Sequence, residues 1–242
     1  MLSDDVTTPD RRRQSWRTPG RIVVPLGLVW SFGLAVIAVA STSHNPERLF
    51  FDPAYSSVGG KWYIGVVSQL GILGWSIAAL SAAWSAWFAR HVGRPSAARF
   101  LGRGAAVTAI LLFDDLFATH AVVSSVLGLP KPFVQLLVVG PTGLWIACHR
   151  SDVLRTRWPL LLAAVGALSA SIVVERLTGN SMGPRATLAE DGPKFLGILA
   201  WAAYFSLTSL DIARSVLAQT HVPRQSANLD VSSDRTSELV TR

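Results

Sequence analysis

The chain is poor in the residues that crosslink or solvate a soluble fold. A single cysteine, Cys148, in 242 residues excludes an intramolecular disulfide and any zinc site built from cysteines. Only 15% of the residues are charged, and two stretches hold no Asp, Glu, Lys or Arg at all: 20 residues at 22–41 and 28 at 62–89. Soluble domains carry about 25% charge, so that class is disfavoured at once. Each uncharged stretch is long enough to cross a hydrocarbon core of about 30 Å at about 1.5 Å per residue. What is abundant agrees: half the residues are apolar and mean hydropathy is +0.38. Acid is also scarce, with 15 Asp and Glu against 22 Lys and Arg, for a net charge of +7. Nucleic-acid binding would need that charge clustered on one folded surface. Here it lies in tails and short loops between apolar runs, so the expected partner is the lipid bilayer and no nucleic acid. Nothing in the composition names a protein partner or a cofactor.

The apolar pattern predicts an all-α polytopic transmembrane bundle of six helices, with spans at about 22–42, 62–89, 104–128, 132–149, 158–176 and 192–212. The domain plan is a disordered basic arm over 1–20, the membrane domain over 21–214 and a disordered Ser-, Thr- and Asp-rich tail over 215–242. Six spans put 16 Lys and Arg on one side, in the arm, the second and fourth loops and the tail, and six on the other: Arg48, Lys61, Lys131, Arg176, Arg185 and Lys194. The positive-inside rule then places both termini in the cytoplasm and the chain in the cell membrane. The competing reading is a cleaved signal peptide, with Ala38, Val39 and Ala40 at the cleavage point, which would leave five spans.

Small residues at three- and four-residue spacing, Gly71, Gly74, Ala78 and Ala82 in the second span and Ala163, Gly166 and Ala170 in the fifth, predict that these two helices are central. Pro141 predicts a bend in the fourth span. Phe50, Phe51, Tyr55 and Trp62 in the first external loop suit an interfacial aromatic belt. Cys148 is expected to be an inert, part-buried thiol.

The chemistry lies in the ionisable residues inside the spans. Counted from Gly104, Asp114 and Asp115 are roughly 15 Å deep and His120 about 24 Å. A carboxylate at mid-depth costs about 2.5 to 3.5 kcal/mol, so two adjacent ones must be protonated, paired or wet. Glu190 and Asp191 precede Pro193 and read as first-turn acids of the sixth span, where capping is their bland role. Lys194 is harder to dismiss. Its depth matches His120 and Glu175, with Ser68 and Gln69 somewhat deeper, so polar groups converge in the outer half above a floor of Asp114 and Asp115. Glu190, Lys194, Gly197, Trp201, Thr208 and Asp211 share one helical face, with Tyr204 beside it. On a continuous helix His120 points about 120° from Asp114 and about 140° from Asp115, so no two of them face one ion. A metal on Asp115 or His120 would have to recruit Glu175, Glu190 or Asp191.

The segments DDLFATH at 114–120 and EDGPKFLGILAW at 190–201 resemble an uncharacterised family of bacterial multi-pass proteins with the patterns DDxFxxH and EDxxKxxGxxxW, over spans two to six. That resemblance implies a membrane bundle and lends no activity. There is also a weak likeness in plan to intramembrane hydrolases of the ceramidase and adiponectin-receptor type, for which Ser68, Asp114 or Asp115, and His120 would be the counterparts. The sequence departs from that plan because His149 falls at the opposite face and His44, His91 and His221 lie outside the spans. Three functions follow: a protein that binds or moves protons, a cation or a small polar solute; an intramembrane hydrolase with Asp115 or His120 as base; and a non-catalytic scaffold.

Overall fold

The computed structural model describes residues 20–43, 46–50, 64–178 and 184–220. These form helices α1 (Gly20–Ser41), α2 (Val66–His91), α3 (Pro95–Phe117), α4 (Thr119–Leu127), α5 (Lys131–Cys148), α6 (Arg150–Arg155), α7 (Trp158–Thr178) and α8 (Pro184–Thr220), with a 3-10 turn at Pro46–Phe50 between α1 and α2. No strand occurs among them. Turn chemistry sets several boundaries. Gly65, Gly93 and Gly128 have positive φ and flank α2, the α2–α3 turn and the end of α4, and Pro95 opens α3 where its missing N–H has no helical partner to lose.

Five helices, α1, α2, α5, α7 and the 185–215 part of α8, are long and apolar enough to cross a membrane; α3 and α4, bent by 71° at their junction, make a sixth if counted as one span. The chain is therefore a multi-pass helical membrane protein. The third span differs from the continuous helix expected over 104–128, because it breaks at Ala118. The sixth helix is also longer than expected at both ends. It begins at Pro184, so Glu190 and Asp191 lie beyond its first turn and Pro193 is inside it, and first-turn capping no longer accounts for the two acids. Its far end reaches Thr220, into residues expected to be tail. The arm before Gly20 and the tail after Thr220 lie outside the described residues.

Packing centres on α8. Trp201, Tyr204 and Phe205 are fully buried where it meets α2 and α7, and α1 packs along its other side. In α2 the small-residue stripe does bring helices together: Ala78 and Ala82 are fully buried, and a Cβ on Gly74 would lie 2.9 Å from Ile198 of α8. In α7 the expected stripe faces away. Gly166 and Ala170 are exposed and a Cβ on Gly166 meets nothing within 4 Å, while Ala164 is fully buried. The close approach of α7 and α8 is made instead by Gly197, whose added Cβ would fall 3.0 Å from Leu168 N and 3.1 Å from Ala164 O. Lipid offers no hydrophobic drive, so such backbone proximity and interhelical hydrogen bonds carry the packing.

Aromatic residues fill the middle. Trp75 and Trp201 meet edge-on at 5.8 Å, and Phe100 stacks on Trp145 at 5.3 Å. Their indole N–H groups are satisfied, Trp201 donating to Thr108 Oγ1 at 3.0 Å and Trp145 to Phe100 O at 3.1 Å. At the end where α1 begins, Arg157 binds Asp211 through two nitrogens, at 2.7 and 3.2 Å, and caps Arg21 O. Tyr204 OH and Thr156 Oγ1 lie 2.9 Å apart at the same end. Two surface expectations change: Cys148 is exposed, and Phe50 is buried against Ala40, Val67 and Phe195 instead of sitting in an aromatic belt. Phe51, Tyr55 and Trp62 lie outside the described residues.

Candidate intramembrane polar site

Ala118 is the only non-glycine with positive φ among the described residues, at 48°. The left-handed conformation costs an alanine about 1–3 kcal/mol and ends one helix within a span. The freed backbone groups are satisfied locally. Ala118 N–H bonds Asp114 O, Thr119 Oγ1 donates to Phe113 O at 3.1 Å, and Asp114 Oδ1 accepts His120 N–H at 2.8 Å, acting as a carboxylate at the N-terminus of α4. The same turn brings His120 Nδ1 to 2.9 Å from Asp114 Oδ2. On a continuous helix Asp114 and His120 would point about 120° apart, and the break at Ala118 removes that separation.

Asp115 faces the other way, toward α2 and α8. Lys194 Nζ lies 2.5 Å from its Oδ1, and Trp75 Nε1 donates to its Oδ2 at 3.2 Å. The carboxylate is only 10% exposed, so burial without these partners would be costly. A third pair ties α5 to α7: Lys131 binds Glu175, whose other oxygen accepts from Gln135 Nε2 at 3.1 Å. Arg176 of α7 in turn donates to Gln135 Oε1.

These groups surround one cavity of about 780 Å³, within the roughly 300–1,000 Å³ usual for small-molecule sites. Asp114, Asp115, His120, Glu175, Glu190, Asp191 and Lys194 all line it, and Trp201 contributes to its wall. Irregular backbone at membrane depth is tolerated where it lines a cavity, and Ala118 and both flanking segments do so. Ser68 is beside it rather than in it: its hydroxyl donates to Phe50 O at 2.8 Å, in a small adjoining recess shared with Asp115 and Lys194. Gln69 is exposed on the opposite face of α2, and Tyr204 is buried toward the other end of the bundle; neither lines the cavity. Among the described residues no three of His, Cys, Asp and Glu gather as a metal ion requires.

The sequence did not mark Trp75, Lys131, Gln135, Thr142, Ser169, Ser171 or Thr187 as lining residues. In the sequence Lys131 stands out only as a loop charge. A lone amide four residues on, sharing its helical face, was the available signal. Thr142 is 7% exposed, and its hydroxyl has no hydrogen-bond partner.

A family model described as a domain of unknown function (DUF8692) matches residues 21–208, and the chain belongs to that family. No curated protein and no solved structure matches it significantly.

Proposed function

We propose, for this member of a family without an assigned activity, that the cavity binds a cation, a proton or a small positively charged solute, and that the protein thereby serves as a receptor or carrier in the cell membrane. Both termini are cytoplasmic in this reading and the cavity lies in the outer half. The observation that carries it is the charge balance of the lining, five carboxylates against two lysines and one histidine. In a low-dielectric bundle that excess of acid is offset by a bound cation or by protons, and a neutral guest does neither. Three of the carboxylates are held in place by His120, Lys194 and Lys131, which fixes the geometry a guest would meet.

The test is flux and binding in reconstituted vesicles. Proton, potassium and tetramethylammonium uptake are measured with wild type, Asp114→Asn and Asp115→Asn. At least one cation should be bound or moved, and both variants should reduce the signal tenfold or more. Failure of all three cations to bind or move overturns the reading.

One observation favours a second reading, hydrolysis. Asp114 engages His120 Nδ1, and a carboxylate so placed orients the ring and supports Nε2 as a general base toward the cavity. Ester turnover by the purified protein that vanishes in His120→Ala would select this reading over binding alone.

A further inference from the structure

The cavity changes character along its depth. Its polar groups gather where α5 and α8 begin and α7 ends, and below Gln135 the two facing walls become mainly apolar: Val138 and Val139 on α5, Val165, Leu168 and Ile172 on α7, with only the small hydroxyls of Ser169 and Ser171 among the latter. These two walls scarcely touch. Helix α5 packs on α3 and α4, and α7 packs on α8, but α5 and α7 have almost no backbone contact with one another. They are joined at one end through the short helix α6, and at the other by the side-chain bridges of Lys131 and Gln135 to Glu175 and of Arg176 to Gln135. Between those closures is a gap. Leu136 and Leu144 on α5, with Leu162 and Val173 on α7, are exposed on these same helices, and in a bilayer such residues face hydrocarbon.

A second observation inside the gap points to a guest. The Thr142 hydroxyl is more than nine-tenths buried, lines the cavity and has no partner. It lies seven residues beyond Gln135, or about 10 Å along the helix. A buried hydroxyl is ordinarily satisfied; the Thr142 side chain borders the cavity, and a rotation about its Cα–Cβ bond turns the hydroxyl toward a guest.

We infer that the natural occupant is an amphipathic lipid with a positively charged head: the head sits between Asp114 and Glu175, its apolar chain lies between α5 and α7, and it enters sideways from the bilayer. The inference rests on the cation-binding reading and adds the chain to it. A water-soluble cation would satisfy the carboxylates but would leave the apolar lower walls facing water or empty space. A lipid fills both, and a carbonyl further down its chain accepts from Thr142 once the hydroxyl turns toward the cavity.

The test uses the full chain in nanodiscs of phosphatidylglycerol, whose head carries no positive charge, doped with a diacyl lipid that has a choline-type quaternary ammonium head without phosphate and a photoactivatable diazirine in its chain. Crosslinked residues are read by mass spectrometry, and binding of radiolabelled choline, the head alone, is measured in parallel. Crosslinks are expected on Val138, Val139, Leu168 and Ile172, and filling the gap from either wall, with Val165→Trp or Val139→Trp, should reduce them at least fivefold while leaving thermal unfolding unchanged. If choline binds but crosslinks occur only on Leu136, Leu144 and Leu162, or persist in both filled variants, the lipid inference is overturned and the cation site stands. If neither probe binds, the lipid inference is overturned, and the cation reading is decided by its own proton and potassium measurements.

Discussion

Lys194 on α8 and Asp115 on α3 lie 2.5 Å apart, and their pairing joins the two helices that bear the DDxFxxH and EDxxKxxGxxxW segments. The lysine is 37% exposed, toward the cavity, whereas the carboxylate is 10% exposed and also held by Trp75. The pair is thus asymmetric, with a fixed acid and a reachable cation. Removing the acid strands a half-buried ammonium. Removing the lysine leaves a buried carboxylate with one indole donor.

Asp115→Asn is expected to destabilise the protein by about 1–2 kcal/mol, the range for polar contacts between membrane helices. Lys194→Met should cost at least as much, because its partner is the more buried group. The double variant should be less destabilised than the sum of the two. Unfolding in mixed micelles of all four proteins gives the coupling. Strict additivity would show that the two side chains do not interact in the bilayer.

The break at Ala118 gives a prediction of opposite sign. Ala118→Gly relieves a positive φ and should stabilise the fold by about 1 kcal/mol if the left-handed turn persists. Asp114→Ala removes the acceptor at the start of α4 and should cost about 1–2 kcal/mol. Both follow from thermal unfolding in detergent. An Ala118→Gly protein less stable than wild type would argue that α3 and α4 run as one helix.

Why the architecture was legible and the site only partly so follows from what each depends on. Charge-free runs such as residues 62–89 report span by composition, and no tertiary contact can alter that. The break at Ala118 leaves no such trace, since neither Gly nor Pro marks DDLFATH. It is stabilised by the Asp114 side chain, so the same residue that looked like an isolated intramembrane acid is what permits the turn. The placement of Glu190 and Asp191 failed for a related reason: Pro193 resembles a helix start, but α8 already begins at Pro184. The face of α8 bearing Gly197, Trp201 and Thr208 is buried as its spacing suggested, because 3.6-residue periodicity survives an error in where a helix begins.

Two glycines that look alike in sequence should behave differently. A Cβ at Gly197 would meet the α7 backbone at 3.0 and 3.1 Å, so Gly197→Ala must push α7 and α8 apart, at about 1–3 kcal/mol. Gly166 faces open space, and Gly166→Ala should be neutral or gain up to about 1 kcal/mol from helix propensity. Comparing the two melting temperatures checks this directly. Equal loss in both would mean that the exposed side of α7 packs against something in the membrane.

Arg157 and Asp211 form a bidentate pair, 10% and 11% exposed, with Arg157 also bound to Arg21 O. Asp211→Ala should cost about 3 kcal/mol or more by leaving the guanidinium buried without its counter-charge. Arg157→Lys should also be damaging, because an ammonium cannot reproduce the fork. Neither change should alter cation binding in the cavity by more than about twofold at a temperature where the protein is folded, since the pair lies at the opposite end of the bundle. Coupled loss of binding would show that the two ends communicate.

Thr142 and Thr208 offer an internal comparison. Both hydroxyls are buried without a partner, but only Thr142 lines the cavity. Replacing an unsatisfied hydroxyl by a methyl of similar volume removes a desolvation cost, so both Thr142→Val and Thr208→Val should be neutral or stabilising by up to about 1 kcal/mol. Their effects on ligand should separate. Thr208→Val, remote from the cavity, leaves binding of the choline-headed lipid unchanged, whereas Thr142→Val weakens it about fivefold, the loss of one ordinary hydrogen bond of about 1 kcal/mol. Equal binding by the two variants would mean that the Thr142 hydroxyl makes no contact with the guest, and the lipid would then have to be held by its head and chain alone.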